Sequence, residues 1–252
     1  MIIYDKSGKL LAESNNKDFS GVDLRDANLS FADLKGANLR NADLRWADLS
    51  NANLKEADLQ EANLSYAKLD KANLDQAFLS KANLSYSYLV GANLKDAYIC
   101  EANLHHAAVR NADLTNASLS NANLNYADFS YANLSNTNLS YADFRNAELN
   151  RTNLTQANIT HTVGNSQELI SLHLDCYDIA FTKDTLTIDS DQYPINDWFA
   201  FTDEQIMDII DIKWFNKWKE TIKKIMKLSL YIKIEGRSYW VLLKNLLLRT
   251  YK

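Results

Sequence analysis

Cysteine is scarce in this chain of 252 residues. Cys100 and Cys176 lie far apart and share no metal-ligand spacing, so the sequence offers no disulfide framework, and a reducing, cytoplasmic setting fits. A basic excess is also missing. The net charge of −5 and the pI near 5.4 argue against nucleic acid as a direct ligand, because phosphate binding needs a basic field. The start of the chain carries Asp5, Lys6, Lys9, Glu13 and Asp18 and lacks an apolar run of signal-peptide length, so no secretion is implied. No phosphate loop, nucleophile elbow or paired-carboxylate motif is present, and the sequence reads as a non-enzyme without a cofactor.

What the chain has instead is one phrase, Ala-Asn/Asp-Leu-x-x, repeated from Phe19 to Ile159. Its central residue recurs every fifth position from Leu24 to Ile159, which makes 28 units. On an α-helix each five-residue step would turn the leucine by about 140° net and leave no apolar face. On a flat strand each step would move it to the opposite face. The pattern works if the chain turns a corner every five residues, with the Leu and the Ala two positions before it pointing inward. Four such sides close a square coil of 20 residues, and about seven coils at about 4.8 Å make a rod roughly 34 Å long. Val22, Ser87, Thr137 and Thr152 replace the small inward Ala and remain compact, so no break in the coil is expected.

Ala27-Asn28-Leu29, Ala32-Asp33-Leu34 and Ala42-Asp43-Leu44 match the A(D/N)Lxx consensus, and on these residues the chain resembles the pentapeptide-repeat family. The resemblance implies an all-β solenoid, a right-handed quadrilateral β-helix with leucine or phenylalanine filling its centre. Residues 1–16 read as a capping hairpin, with Ile2-Ile3-Tyr4 and Leu10-Leu11 flanking the turn-like Lys6-Ser7-Gly8-Lys9. Residues 17–162 form the solenoid, and 163–252 a small α+β cap module. In that module, residues 168–189 suggest a β-hairpin. Thr202-Asp203-Glu204-Gln205 is a capping box that opens a helix through Ile206, Ile209 and Ile210. Trp214, Trp218 and Ile222 then align on one face of a second helix. The apolar run from Tyr239 to Leu248, with Trp240, suggests a cap or dimer surface, and its charges keep it below the length of a membrane span. Trp198, Phe201 to Ile206 and Trp214-x3-Trp218-Lys219 make the module similar to one appended to pentapeptide proteins of prophages and bacteria.

Folded onto its 20-residue period, the repeat sorts its outward positions into columns. One column reads Asp26, Trp46, Tyr66, Tyr86, His106, Tyr126, Asn146. Five successive rings there suit offset packing into a stabilising ladder, with a partner-binding stripe as the alternative. A second departure is Phe78, Tyr88 and Tyr98, which stand where the repeat carries Asn or Asp. Phe78 and Tyr98 share a side, and Tyr88 is expected to join Tyr86 at the aromatic corner. These rings are the preferred binding patch. His105-His106, beside Cys100 and Glu101, is the nearest approach to a metal cluster, but a convex corner fans such residues apart.

The resemblance implies a protein partner. Members that protect against quinolones are proposed to imitate B-DNA and occupy DNA gyrase or topoisomerase IV. Charge tests that idea: duplex DNA of this length carries on the order of 20 phosphates, whereas Val22 to Ile159 holds 16 Asp and Glu against 12 Lys and Arg, a net of −4. Asp23, Asp43 and Asp143 share a column, but Arg25, Arg45 and Arg145 lie two residues on and can pair with them. The expected function is a non-enzymatic protein-binding rod, in the narrower form an inhibitor or shield of a DNA-handling enzyme or of anti-phage machinery. The alternative is a structural scaffold that forms dimers through the C-terminal module.

Overall fold

The computed structural model describes residues 2–4, 7–8, 10–154, 156–164, 170–174, 177–181, 185–188 and 191–194. The two helices expected between Thr202 and Ile225, the cap or dimer residues Trp214, Trp218, Ile222 and Trp240, and Cys176 lie outside the described residues. The chain divides into two compact units, Met1–Asn165 and Ser166–Lys252.

The first unit opens with an antiparallel pair, β1 (Ile2–Tyr4) and β2 (Leu10–Glu13), whose register shifts between Ile3 and Tyr4. Gly8, in the connection, takes φ +88°, a left-handed conformation that a residue with a Cβ adopts only under strain. The Tyr4 carbonyl accepts a hydrogen bond from Asn28 N at 2.9 Å, so the hairpin supplies the first coil with a partner it would otherwise lack.

From Asp18 onward every fifth residue bridges in parallel to the residue twenty positions later, in an unbroken series from Asp18↔Asn38 to Asp143↔Val163. A twenty-residue repeat with a corner every five residues gives a coil of four sides. We number the sides by their central residues: the first holds Leu24 and Leu44, the second Leu29 and Leu49, the third Leu34 and Leu54, and the fourth Phe19 and Leu39. Each unit makes three bonds to the next or preceding coil, as in Leu24 N to Asp43 O at 2.8 Å, Asp26 N to Arg45 O at 3.0 Å and Asp43 N to Val22 O at 3.0 Å. A fourth bond, Ala27 N to Leu24 O at 3.1 Å, closes the corner as a β-turn. The backbone polar groups are therefore paired without a continuous strand longer than one side.

The centre is filled as the inward pattern requires. Central leucines and the alanines beside them are almost all inaccessible from Leu24 to Ile159, and Phe19 adds one centre before the run. Phe129 and Phe144 enlarge it on adjoining sides, with ring centroids 5.9 Å apart. The hydroxyls that replace inward alanines are each satisfied. Ser87 Oγ donates to Leu84 O and Thr137 Oγ1 to Leu134 O, both at 2.7 Å, and Thr152 Oγ1 to Phe129 O at 2.8 Å. Thr162 repeats this with Ile159 O at 2.8 Å, so the inward register runs one position beyond the last central residue.

The second unit holds a four-stranded antiparallel meander in the order β3 (Ile170–Leu174), β4 (Tyr177–Phe181), β5 (Thr185–Ile188), β6 (Asp191–Pro194). The sequence suggests only a hairpin in this region. The apolar stretches at 170–174, 179–181 and 186–188 each become a separate strand, and a polar fourth strand pairs Ile188 with Asp191 and Thr185 with Pro194. Proline at the end of a final strand costs no interior ladder bond. Ala180, Leu186, Thr187 and Ile188 are buried, and Thr187 Oγ1 donates to Ala180 O at 3.1 Å.

Candidate functional site

The four sides carry different chemistry. On the first and third sides, most of the Asn residues that precede a centre in mid-rod do two things. The Oδ1 accepts the backbone N two residues on, as Asn63 does from Ser65 and Asn103 from His105. The Nδ2 donates to the same position one coil earlier, giving a ladder Asn123–Asn103–Asn83–Asn63 at 3.0, 3.2 and 3.3 Å. A matching ladder runs Asn93–Asn73–Asn53–Asp33. On the second and fourth sides mid-rod, these amides are replaced by Lys68, Tyr88 and Ala108, and by Phe78, Tyr98 and Ser118.

Phe78 and Tyr98 stack on the fourth side with centroids 5.2 Å apart and planes 6° from parallel, and they stay 39% and 50% exposed. No outward residue beside the centres on that side is charged from Phe78 to Thr160, where Ser80, Cys100, Ser118 and Ser120 stand; the neighbour of Phe78 one coil earlier is Asp58, paired with Arg40. Cys100 Sγ lies 3.2 Å from Ser118 Oγ. At the edge of this strip Lys81 and Glu101 approach to 3.8 Å. Tyr88, ten residues from either ring, falls on the second side, across the coil from both. Nor does any ring contact join Tyr88 to Tyr86 among the described residues, so the three departures form a pair and a separate ring rather than one patch.

The corner between the first and second sides carries the expected column as a continuous stack. Trp46–Tyr66, Tyr66–Tyr86, Tyr86–His106 and His106–Tyr126 are 5.4, 4.9, 5.0 and 4.8 Å apart, with planes within 23° of parallel. The backbone explains the alignment. Every fifth residue from Gly21 to His161 has φ between +53° and +68°, and this third turn position throws the side chain outward at the same place in each coil. His105 meets Tyr86, His106 and Tyr126 edge-on. Two further corner contacts are not singled out in the sequence reading: Tyr141 stacks on His161 at 4.6 Å, and Arg151 lies over Tyr131 at 5.4 Å. Their signal was the same spacing of twenty, with histidine and arginine standing where a second aromatic would be sought.

The acidic column is neutralised. Arg45 and Arg145 each place Nη2 2.6 Å from the Asp43 and Asp143 carboxylates, and Arg25 bridges Asp23 and, at 3.7 Å, Asp43. Hydrogen bonds from the Arg25 side chain hold the Asp23 carboxyl down at about 2, and Arg45 lowers Asp43 in the same way. At Asp143 burial pushes the carboxyl up, but hydrogen bonds from the Arg145 side chain and backbone and from Asn125 together outweigh it, and the net direction is down. Among the described residues no three His, Cys, Asp or Glu side chains are grouped to hold a metal ion, and no helix is long and apolar enough to cross a membrane.

The family model for pentapeptide repeats matches residues 15–41, 37–76, 77–116, 103–140 and 117–156, a combined span of more than half the chain. The chain belongs to the pentapeptide-repeat family. Among solved structures, this pentapeptide-repeat protein is similar to HetL, a pentapeptide-repeat protein involved in heterocyst differentiation regulation in the cyanobacterium Nostoc sp. strain PCC 7120. That match is 36% identical, covers 59% of this chain and 76% of HetL, and has a TM-score of 0.29. A trypsin-treated form of QnrB1, a plasmid-mediated fluoroquinolone resistance protein, matches at 20% identity over 58% of this chain and 77% of its own, with a TM-score of 0.34. Comparison with curated proteins finds no match.

Proposed function

We propose that this pentapeptide-repeat protein is a non-enzymatic, cytoplasmic protein-binding rod whose partner docks on the fourth side. The observation that carries this reading is the exposed Phe78–Tyr98 stack at the start of an uncharged strip, bordered by the Lys81–Glu101 pair and, one coil before Phe78, by Asp58 and its Arg40 partner. Protein interfaces have that composition, with aromatic residues enriched and charges depleted at the centre and a polar rim around it. The solenoid gains no core packing from these rings, since the inward positions are already filled.

The narrower reading is that the partner is a DNA-handling enzyme such as a topoisomerase, which the rod inhibits or shields. On this reading the grip is through rings rather than through imitation of a phosphate row, because the Asp23, Asp43 and Asp143 carboxylates are paired with arginines. Supercoiling by purified DNA gyrase, with and without a fluoroquinolone, tests the target. Excess rod is expected to change supercoiling or drug inhibition, and the double variant Phe78→Asn, Tyr98→Asn to lose that effect. No change in either arm removes the topoisomerase, and an unchanged effect in the double variant removes the fourth side.

A further inference from the structure

The aromatic corner contains a chemistry that partner binding does not use. Tyr66 and Tyr86 are, among the described residues, the one ring contact in which both members are phenols. The other tyrosine contacts set Tyr66 on Trp46, Tyr98 on Phe78, Tyr126 and Tyr86 on His106 and edge-on to His105, Tyr141 on His161, and Tyr131 under Arg151. The Tyr66 and Tyr86 rings lie 4.9 Å apart and 4° from parallel, on coils held to one another by Tyr66 N to Ser85 O at 3.0 Å. Both remain about as exposed as a surface tyrosine, at 42% and 39%, so their edges are open to solvent and to a small oxidant.

We propose that this pair is an oxidative cross-linking site at which Tyr66 and Tyr86 join as dityrosine and tie two successive coils together. A one-electron oxidant of the inorganic-radical or peroxidase type removes one electron from each phenol, and each phenolic proton leaves to water. The two phenoxyl radicals then couple, an ortho carbon of one to an ortho carbon of the other. Each coupled ring loses its ortho hydrogen as a proton and regains a phenol by tautomerisation. The net change is one new carbon–carbon bond, two electrons passed to two equivalents of oxidant, and two hydrogen atoms lost from the protein. Coupling needs only rotation of stacked rings on a fixed backbone, whereas a phenoxyl radical without a phenol neighbour must wait for a second molecule or be reduced back to tyrosine. The bond closes a loop across one coil, which lowers the entropy of the unfolded chain and favours the folded coil.

The test uses the full chain, dilute enough to suppress reaction between molecules, and a photo-excited ruthenium tris-bipyridine complex with persulfate as electron acceptor. Peptide mapping is expected to find dityrosine joining the peptides of Tyr66 and Tyr86, with the characteristic dityrosine fluorescence and a raised urea midpoint. Tyr66→Phe, which keeps the ring and the stack, is expected to abolish that fluorescence, whereas Tyr141→Phe leaves it unchanged. Tyr131 and Tyr141, at 55% and 57%, are more exposed than either member of the pair and serve as internal controls. Cross-links spread over the tyrosines in proportion to exposure, or formed only between molecules, would overturn the proposal. So would dityrosine that persists in Tyr66→Phe.

Discussion

At the scale of single residues, the corner position sets the main demand on this sequence. All the corners from Gly21 to His161 are left-handed, yet only Gly21, Gly36 and Gly91 are glycine. A residue with a Cβ is disfavoured there by roughly 1–2 kcal/mol, which the burial of a Leu and an Ala in every unit offsets. Gly36 isolates the effect, because a Cβ added to it would meet nothing within 4 Å. Gly36→Ala is therefore expected to cost about 1 kcal/mol in urea denaturation through backbone conformation alone. Glu56→Gly, at φ +60° one coil later on the same corner, is expected to be neutral or stabilising. Charge pairing offers a second test. A carboxyl held below its ordinary value contributes stability above that value and loses it as pH falls through the folded value. For Asp23 that window runs from the ordinary 3.8 down to about 2. The contribution is small because the pair is exposed, so the direct readout is the Asp23 carboxyl followed by NMR. Its midpoint should lie near 2 and return toward 3.8 in Arg25→Gln.

At the scale of the element, the Asn ladders bind one side of a coil to the next. Asn103 accepts from His105 N at 3.2 Å and from Asn123 Nδ2 at 3.0 Å, and donates to Asn83 at 3.2 Å. Asn103→Ala leaves those partly buried partners unsatisfied and is expected to lower stability by about 1–3 kcal/mol in urea denaturation. A loss within error would show that water replaces the ladder without penalty. The period of five and the inward Leu and Ala are legible in the sequence because every unit repeats them under the same steric demand. The role of the Asn is not legible, since an amide ladder exists only once coils are stacked. For the same reason the aromatic corner can be read from its spacing of twenty, while the position of Tyr88 is easily misjudged. It is two residues from Tyr86 in the chain, but the corner between them turns it onto another side. The strands β3 to β6 are not separable in the sequence, because four or five residues with no recurring period do not distinguish one hairpin from a meander of four.

At the scale of the whole molecule, the two units bear on function separately. If the second unit drives assembly, as the scaffold reading requires, light scattering should give a larger mass for the full chain than one copy accounts for. A chain ending at Asn165 should then be a monomer. Monomers in both cases would remove that reading and leave side-on binding by the repeat unit. Within that unit, every fifth residue is bridged to the position twenty before or after it, so a coil knows only its neighbours, and stability approaches a sum over coils. This gives the gene a reading frame of its own above the codon. Excising residues 107–126 removes one full coil, joins His106 to Ala127, and returns every later side chain to its former side. The urea midpoint of that variant should fall only by one coil's share. Excising residues 107–111 keeps every Leu and Ala inward but rotates the remaining chain by a quarter turn. Asn ladders, ring stacks and ion pairs that cross the cut then meet the wrong partners. The smaller deletion should therefore be the more destabilising. Chains of this kind can lengthen or shorten cheaply only by twenty codons at a time.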